Sequence, residues 1–189
     1  MTNPAFPALF TGALTRLAAP LPEDKEAFAR WSRDDVYLRN LDDDPARPLA
    51  ESSFANFDTP ATSPDSFYFH IRTLEDDSLI GFVVLHSVKW TNQSAWLTIG
   101  IGEAAYRGRG YGQDVLRLIL GYAFGELNLY RVGLTVMAYN AAAIQAYERA
   151  GFVREGAQRG AVQRAGARHD LLHFGMLRDE WLAQRAQQP

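Results

Sequence analysis

A chain of 189 residues with a formal charge of −3 is long enough for one domain with a full core, and its charge offers no footprint for nucleic acid. It contains no cysteine, which excludes disulfides, thiolate metal sites and a cysteine nucleophile. No stretch approaches bilayer-spanning length, and the first residues lack the basic and apolar regions of a signal peptide, so no membrane partner and a cytoplasmic location are the default expectations.

Taken in order, "GALTRLAAP" (12–20) reads as a short first strand. "LPEDKEAFARWSRDD" (21–35) follows with a proline and acids in its first turn, as helix starts do, and Phe28 and Trp31 share its apolar face. Polar, proline-bearing sequence runs from Asp42 to Pro48, a second helical piece is expected near 50–57, and "TPATSPD" (59–65) is a loop. The pattern then turns to strands: "SFYFHIRT" (66–73), "LIGFVVLHSV" (79–88) and "AWLTIGIG" (95–102), joined by the short turns "LEDDS" and "TNQS". A helix over 112–127, a strand over 130–139 and a helix "NAAAIQAYERAG" follow, with Asn140 as N-cap and Gly151 just past the end. Strand–helix–strand here implies a parallel crossover. Two strands, 152–162 and 167–177, and a short helical tail complete the chain. His169 and His173 are four apart as in HExxH, but they stand on a strand, so no metal is expected. One domain over 1–189 is expected, with frayed ends at 1–11 and 182–189.

One corner stands out. "AYRGRGYGQDV" (105–115) sets Gly108, Gly110 and Gly112 beside Arg107, Arg109 and Tyr111, between a strand and a helix. Glycines let the backbone turn tightly and let a ligand approach it. The helix start adds unpaired N–H groups and the positive end of a dipole, which suits phosphate. The spacing misses the dinucleotide fingerprint, since Gln113 stands where a third glycine is needed, and no Gly-Lys-Ser/Thr of a P-loop exists.

The run Arg107-x-x-Gly110-x-Gly112 resembles the pyrophosphate-binding signature of the GNAT superfamily of N-acetyltransferases. "YNAAAIQAYERAGFVREG" is similar to the Asn-x-x-Ala-x-x-x-Tyr-x-x-x-Gly-Phe block of the same family, here Asn140, Ala143, Tyr147, Gly151 and Phe152. "YAFGELNLYRVGLTV" and the closing "GARHDLLHFGMLRDEW" resemble the branch that includes ribosomal-protein N-terminal acetyltransferases (the RimL type). The resemblance implies an α+β fold: a mixed, mostly antiparallel sheet of about seven strands, flanked by helices, with splayed central strands. It also implies acetyl-CoA as cosubstrate, its pantetheine along the fourth strand near Ile99 and Ile101, and its pyrophosphate on the N–H groups of Arg107–Gly112. Asn140 and Ala143 would face the cofactor. Tyr147 would be the general acid toward the thiolate, with core packing as the alternative.

Glu103, at the end of the fourth strand, is the best-placed candidate for a base, with His86 and His173 behind it; Trp96 stands where the branch often has a carboxylate. With no cysteine, direct attack of the amine in a ternary complex is the simpler chemistry. At pH 7 an α-amine is made neutral for about 1 kcal/mol and a lysine-type amine for about 4.6 kcal/mol, so a poor base favours a protein N-terminal α-amine. The acids Asp34, Asp35, Asp42, Asp43, Asp44 and Glu51 form a solvated loop or attract a cationic acceptor, which leaves a polyamine or an aminoglycoside-like amine open. A CoA-binding module without catalysis, and a homodimer, also stay open.

Overall fold

The computed structural model describes residues 8–54 and 64–186. Seven strands form one sheet in the order β1-β2-β3-β4-β5-β7-β6. They are β1 (Thr15–Ala18), β2 (Phe67–Thr73), β3 (Leu79–Lys89), β4 (Ser94–Ile101), β5 (Arg131–Met137), β6 (Val153–Arg164) and β7 (Ala167–Leu177). Every neighbouring pair is antiparallel except β4 and β5, so the expected mixed sheet, meander and parallel crossover are all present.

Among the described residues five α-helices flank it: α1 (Lys25–Trp31), α2 (Asp35–Leu41), α3 (Tyr111–Gly121), α4 (Ala141–Arg149) and α5 (Arg178–Ala186). Alternate β-strand residues face opposite sides of the sheet. On one side Val83, Leu85, Ala95, Leu97, Val132, Leu134 and Phe174 join Val115, Leu116 and Ile119 of α3 in the main core. On the other side a smaller cluster of Ala27, Phe28, Trp31 and Tyr37 packs α1 and α2 over the β3–β4 half of the sheet. Phe28 and Trp31 do share the buried face of α1, with ring centroids 4.8 Å apart.

Several boundaries differ from the sequence reading. The first strand is only Thr15–Ala18, because Ala13, Leu14 and Thr15 turn their N–H groups to the buried carboxylate of Asp114. The single helix expected over 21–35 is a 3₁₀ turn, Pro22–Asp24, then α1, which ends at Trp31. α2 was not anticipated. Asp34 is its N-cap, accepting from the Tyr37 N–H at 2.9 Å, so these acids begin a new helix instead of ending the old one. The helical piece expected near 50–57 is a 3₁₀ turn over Glu51–Phe54; its remainder, and residues 59–63 of the expected loop, lie outside the described residues. After Gly121 the backbone of α3 widens into a π turn, Tyr122–Glu126. No described helix is long and apolar enough to cross a membrane.

Candidate active site

The centre of the sheet opens. β4 pairs with β5 only through Ser94–Trp96 and Arg131–Gly133. Beyond that point β5 stays with β7 as far as Met137, while β4 stays with β3 as far as Ile101. Gln93 accepts from the Arg131 N–H, which sets the edge of β4 that faces β5. With a two-residue period, Leu97, Ile99 and Ile101 present their backbone groups to the same gap. Ile99 and Ile101 therefore stand on its open edge. Part of that edge is already used, because the Ile101 carbonyl accepts from Arg107 Nε at 2.9 Å.

At the end of this edge lies the glycine corner. Gly108 and Gly110 have φ of +71° and +92°, values that favour glycine, and Gly110 is the N-cap of α3. A side chain added at Gly108 or Gly112 would enter open space. The first N–H groups of α3, on Tyr111, Gly112 and Gln113, have no partner within the helix, and they face the cradle with the positive end of the dipole. Tyr111 itself is buried, its ring 5.0 Å from that of Tyr106, so only its backbone serves the corner.

The two arginines differ. Arg107 donates to the carbonyls of Ile101 and Gly102 and to Asp34 at 3.0 Å, and lies over the Tyr37 ring. Its guanidinium locks the end of β4 to the start of α2. Arg109 is exposed, with one bond to the Ala105 carbonyl.

Tyr147 lies on α4, across the gap from β4. It is buried against Phe152 and Phe174, and burial pushes its phenol up to about 12. Gln113 of α3 donates to the Ala146 carbonyl at 2.7 Å, which fixes α4 against the cradle. Asn140 caps α4 as expected, accepting from the Ala143 N–H at 3.1 Å. Its amide nitrogen donates to the Asn40 carbonyl of α2, so the side chain and the Ala143 N–H are both engaged within the protein.

The candidate bases are placed unequally. Burial favours a protonated Glu103, but hydrogen bonds from Trp31 Nε1 (3.0 Å) and Arg30, with the nearby positive charges, outweigh it and hold the carboxyl below the usual range. His86 faces Trp96 across the β3–β4 ladder, with Nε2 3.2 Å from Thr98 Oγ1, and burial lowers its pKa. The His173 ring meets the Trp96 ring edge-on at 6.3 Å.

The gap is bridged on the α1–α2 side. Tyr139, at the end of β5, donates to the Arg39 carbonyl, and Asn140 to that of Asn40. Arg164, near the tip of the β6–β7 hairpin, donates to the carbonyls of Asp42 (3.2 Å) and Asp44 (2.8 Å). The acidic segment after α2 is thus tied to the last hairpin. A cavity of about 1020 Å³ runs along the outer face of α3. It shares Gly110 and Gln113 with the cradle but contains no β4 or β5 residue, so it lies beside the gap. Among the described residues, no group of three or more His, Asp or Glu side chains is placed to hold a metal ion.

Residues 15–153 match the family model described as Acetyltransferase (GNAT) domain. The chain belongs to the GNAT acetyltransferase family. The SPbeta prophage-derived uncharacterized N-acetyltransferase YokL of Bacillus subtilis is 30% identical over 172 residues, covering 91% of this chain and 94% of that protein. YdaF of the same organism, provisionally named a ribosomal N-acetyltransferase, is 33% identical over 108 residues, 57% of this chain and 58% of that one. The spermidine N-acetyltransferase of Vibrio cholerae, solved with CoA and spermine, shares the fold. Its TM-score is 0.80 at 21% identity, covering 89% of this chain and 98% of that one.

A GNAT enzyme uses acetyl-CoA, and the residues present fit it. The cradle has room where side chains would stand, N–H groups at the start of α3 without partners in the helix, and a strand edge leading away that β5 leaves open. Two side chains that build this arrangement were not singled out from sequence. Asp114 holds the residues before β1 against α3, and Tyr37 packs α2 onto β4. The only trace of Asp114's role was an acid in the first turn of a helix; Tyr37 left none.

Proposed function

We propose that this GNAT enzyme moves an acetyl group from acetyl-CoA to a primary amine by direct attack in a ternary complex, with a protein N-terminal α-amine as the acceptor. The observation that carries the reading is the open edge of β4, which runs from an anion cradle toward the side of the gap where α4 holds a buried, neutral phenol. In the proposed complex the backbone of Arg107–Gly112 holds the pyrophosphate, and Ile99 and Ile101 align the pantetheine. Arg109 adds charge at the rim, and Asn140 and Ala143 shape the start of α4 beside it. Bound acetyl-CoA supplies an acyl group activated as a thioester.

The amine nitrogen bonds to the carbonyl carbon, the C–S bond breaks with its electron pair going to sulfur, and the N–H proton shed by nitrogen passes through water to the CoA thiolate, leaving amide and thiol. Tyr147 meets the departing sulfur as a hydrogen-bond donor. Complete transfer from a phenol at about 12 to a thiolate near 8.5 is uphill by about 5 kcal/mol, so the hydrogen bond formed as charge develops is the larger part of its contribution. Glu103, though the best-placed carboxylate in the sequence, already carries two donors and holds its charge, which fits anchoring α1 better than exchanging protons. Without a strong base, an acceptor that is already partly neutral has the advantage, and that supports the α-amine.

One observation favours a second reading, a polyamine acceptor. Asp42, Asp43 and Asp44 follow α2, which bridges the gap, and are tied to the last hairpin through Arg164; burial raises the Asp42 carboxyl. The spermidine enzyme of Vibrio cholerae adds a neighbour of like fold. Thiol release from acetyl-CoA with a panel of amines tests the function. Release that depends on a primary amine supports it; binding of acetyl-CoA with no release for any amine supports a non-catalytic module instead.

A further inference from the structure

Tyr37 is 8% exposed, and its hydroxyl has no hydrogen-bond partner among the described residues. A buried polar group in that state costs free energy, so it calls for an explanation. The hydroxyl lies against the α-carbon of Gly100, where a side chain added at that position would collide with it, the Phe82 ring and Leu41. Gly100 is on β4, in the half that β5 has left. The buried phenol therefore ends over the half of β4 that β5 has left, on the face covered by α1 and α2. The cradle helix α3 covers the opposite face.

The charges around Tyr37 restrict what it can meet. Burial is the main force holding it neutral; Arg107 opposes this, and Asp42 and Asp34, at the end and the start of α2, add to it. Arg107, whose guanidinium lies 4.9 Å from the ring centroid, is already paired with Asp34 and bonded to two carbonyls. Two carboxylates and one neutralised guanidinium repel an anion and attract an N–H donor. The oxygen, without a partner among the described residues, keeps its lone pairs for a donor.

We propose that the Tyr37 hydroxyl is a substrate-binding group that accepts a hydrogen bond from the attacking amine. This rests on the reading of the cleft as an amine acetyltransferase. The amine must aim its lone pair at the thioester carbon, which leaves its N–H bonds free to donate. As the C–N bond forms, the nitrogen gains positive charge and its N–H···O bond strengthens, so the contact is worth most in the transition state.

Tyr37→Phe tests it with readouts that separate the alternatives. Thermal melting without ligand needs no acceptor: the variant should melt at the same temperature as the parent or higher, because it deletes an unsatisfied buried group. A loss of several degrees would show that the hydroxyl has a structural partner and would overturn the proposal. Calorimetry should give an unchanged acetyl-CoA affinity; a fall places the hydroxyl on the thioester side and overturns the proposal. With spermidine and with a tripeptide bearing a free N-terminus, kcat/KM for the amine should drop about 10- to 100-fold, as loss of one charge-assisted hydrogen bond predicts; an unchanged value with the amine that the parent acetylates overturns the proposal. If the parent itself binds no acetyl-CoA, it is the wider reading of the cleft that fails, and the melting result still decides whether Tyr37 is spent within the fold.

Discussion

Replacing Gly110 by alanine isolates the cradle from the rest of the fold. Its φ of +92° is outside the range an alanine adopts comfortably, while the added methyl would lie 3.7 Å from Leu14 Cδ1, an ordinary contact. The cost is therefore conformational, about 1–2 kcal/mol. For a chain of this size that is a loss of about 2–8 °C in melting temperature, and the protein stays folded. The chain relieves part of the strain by swinging φ back, which turns the Tyr111 N–H away from the cradle. Losing one charge-assisted hydrogen bond to a phosphate oxygen costs about 1.5–3 kcal/mol, or about 10- to 100-fold in acetyl-CoA affinity. Gly166→Ala is the matched control. Gly166, in the β6–β7 turn, has a φ of +81° with open space around it, so alanine there carries the same backbone penalty far from the cradle. Isothermal titration of both variants with acetyl-CoA decides the matter. Equal affinities in the two would refute the assignment of the pyrophosphate to this corner.

Tyr147→Phe should lower kcat about 100-fold with little change in the KM for acetyl-CoA, and steady-state kinetics at saturating amine reads the split; wild-type turnover with chemistry rate-limiting would remove the phenol from the mechanism. Because the folded phenol titrates at about 12 and a free one near 10, Tyr147 supports stability fully below pH 10, and this contribution falls away as pH rises from 10 to 12; alkaline melts of the phenylalanine variant should be less steep over that range. Glu103→Gln should change kcat less than about 3-fold, since a glutamine oxygen still accepts from Trp31 and the Arg30 ion pair is largely exposed and worth under about 1 kcal/mol; a 100-fold loss together with a vanished limb of the pH–rate profile would make it the base after all. Asp114→Asn should destabilise by about 3 kcal/mol at pH 7, read from urea melts, because it breaks a buried carboxylate bonded to three backbone N–H groups and the Thr15 hydroxyl. Burial alone would raise Asp114, yet those bonds hold it low, so its contribution is present above the ordinary carboxyl value near 3.9 and is lost as pH falls through the lower folded value; parent and variant should converge at acid pH.

The sheet was legible because its signals are local. Alternation marks β2, β3 and β4, short polar turns join them, and the glycine corner and the α4 block lie in unbroken stretches of sequence. What stayed hidden depends on contacts between distant residues. Arg107 looks like a free cation in "AYRGRGYGQDV", but its partners include Asp34, 73 residues away. Glu103 looks like an available carboxylate until Arg30 and Trp31 fold onto it. α2 escaped notice because it is only seven residues long and follows directly on a longer helical pattern, with Asp34 and Asp35 resembling that pattern's polar end. The acidic segment read as solvated, and the reach of Arg164 from the last hairpin, some 120 residues on, ties it down.

The most direct measurement is a competition for limiting acetyl-CoA, read by mass spectrometry. One peptide carries a free N-terminus and no lysine, its twin is N-blocked with one internal lysine, and spermidine is the third acceptor. The account predicts acetylation of a primary amine that depends on the enzyme, with the free N-terminus modified first. Faster acetylation of the blocked peptide or of spermidine would contradict the α-amine assignment, and acetyl-CoA binding with none of the three modified would contradict the proposed transfer itself.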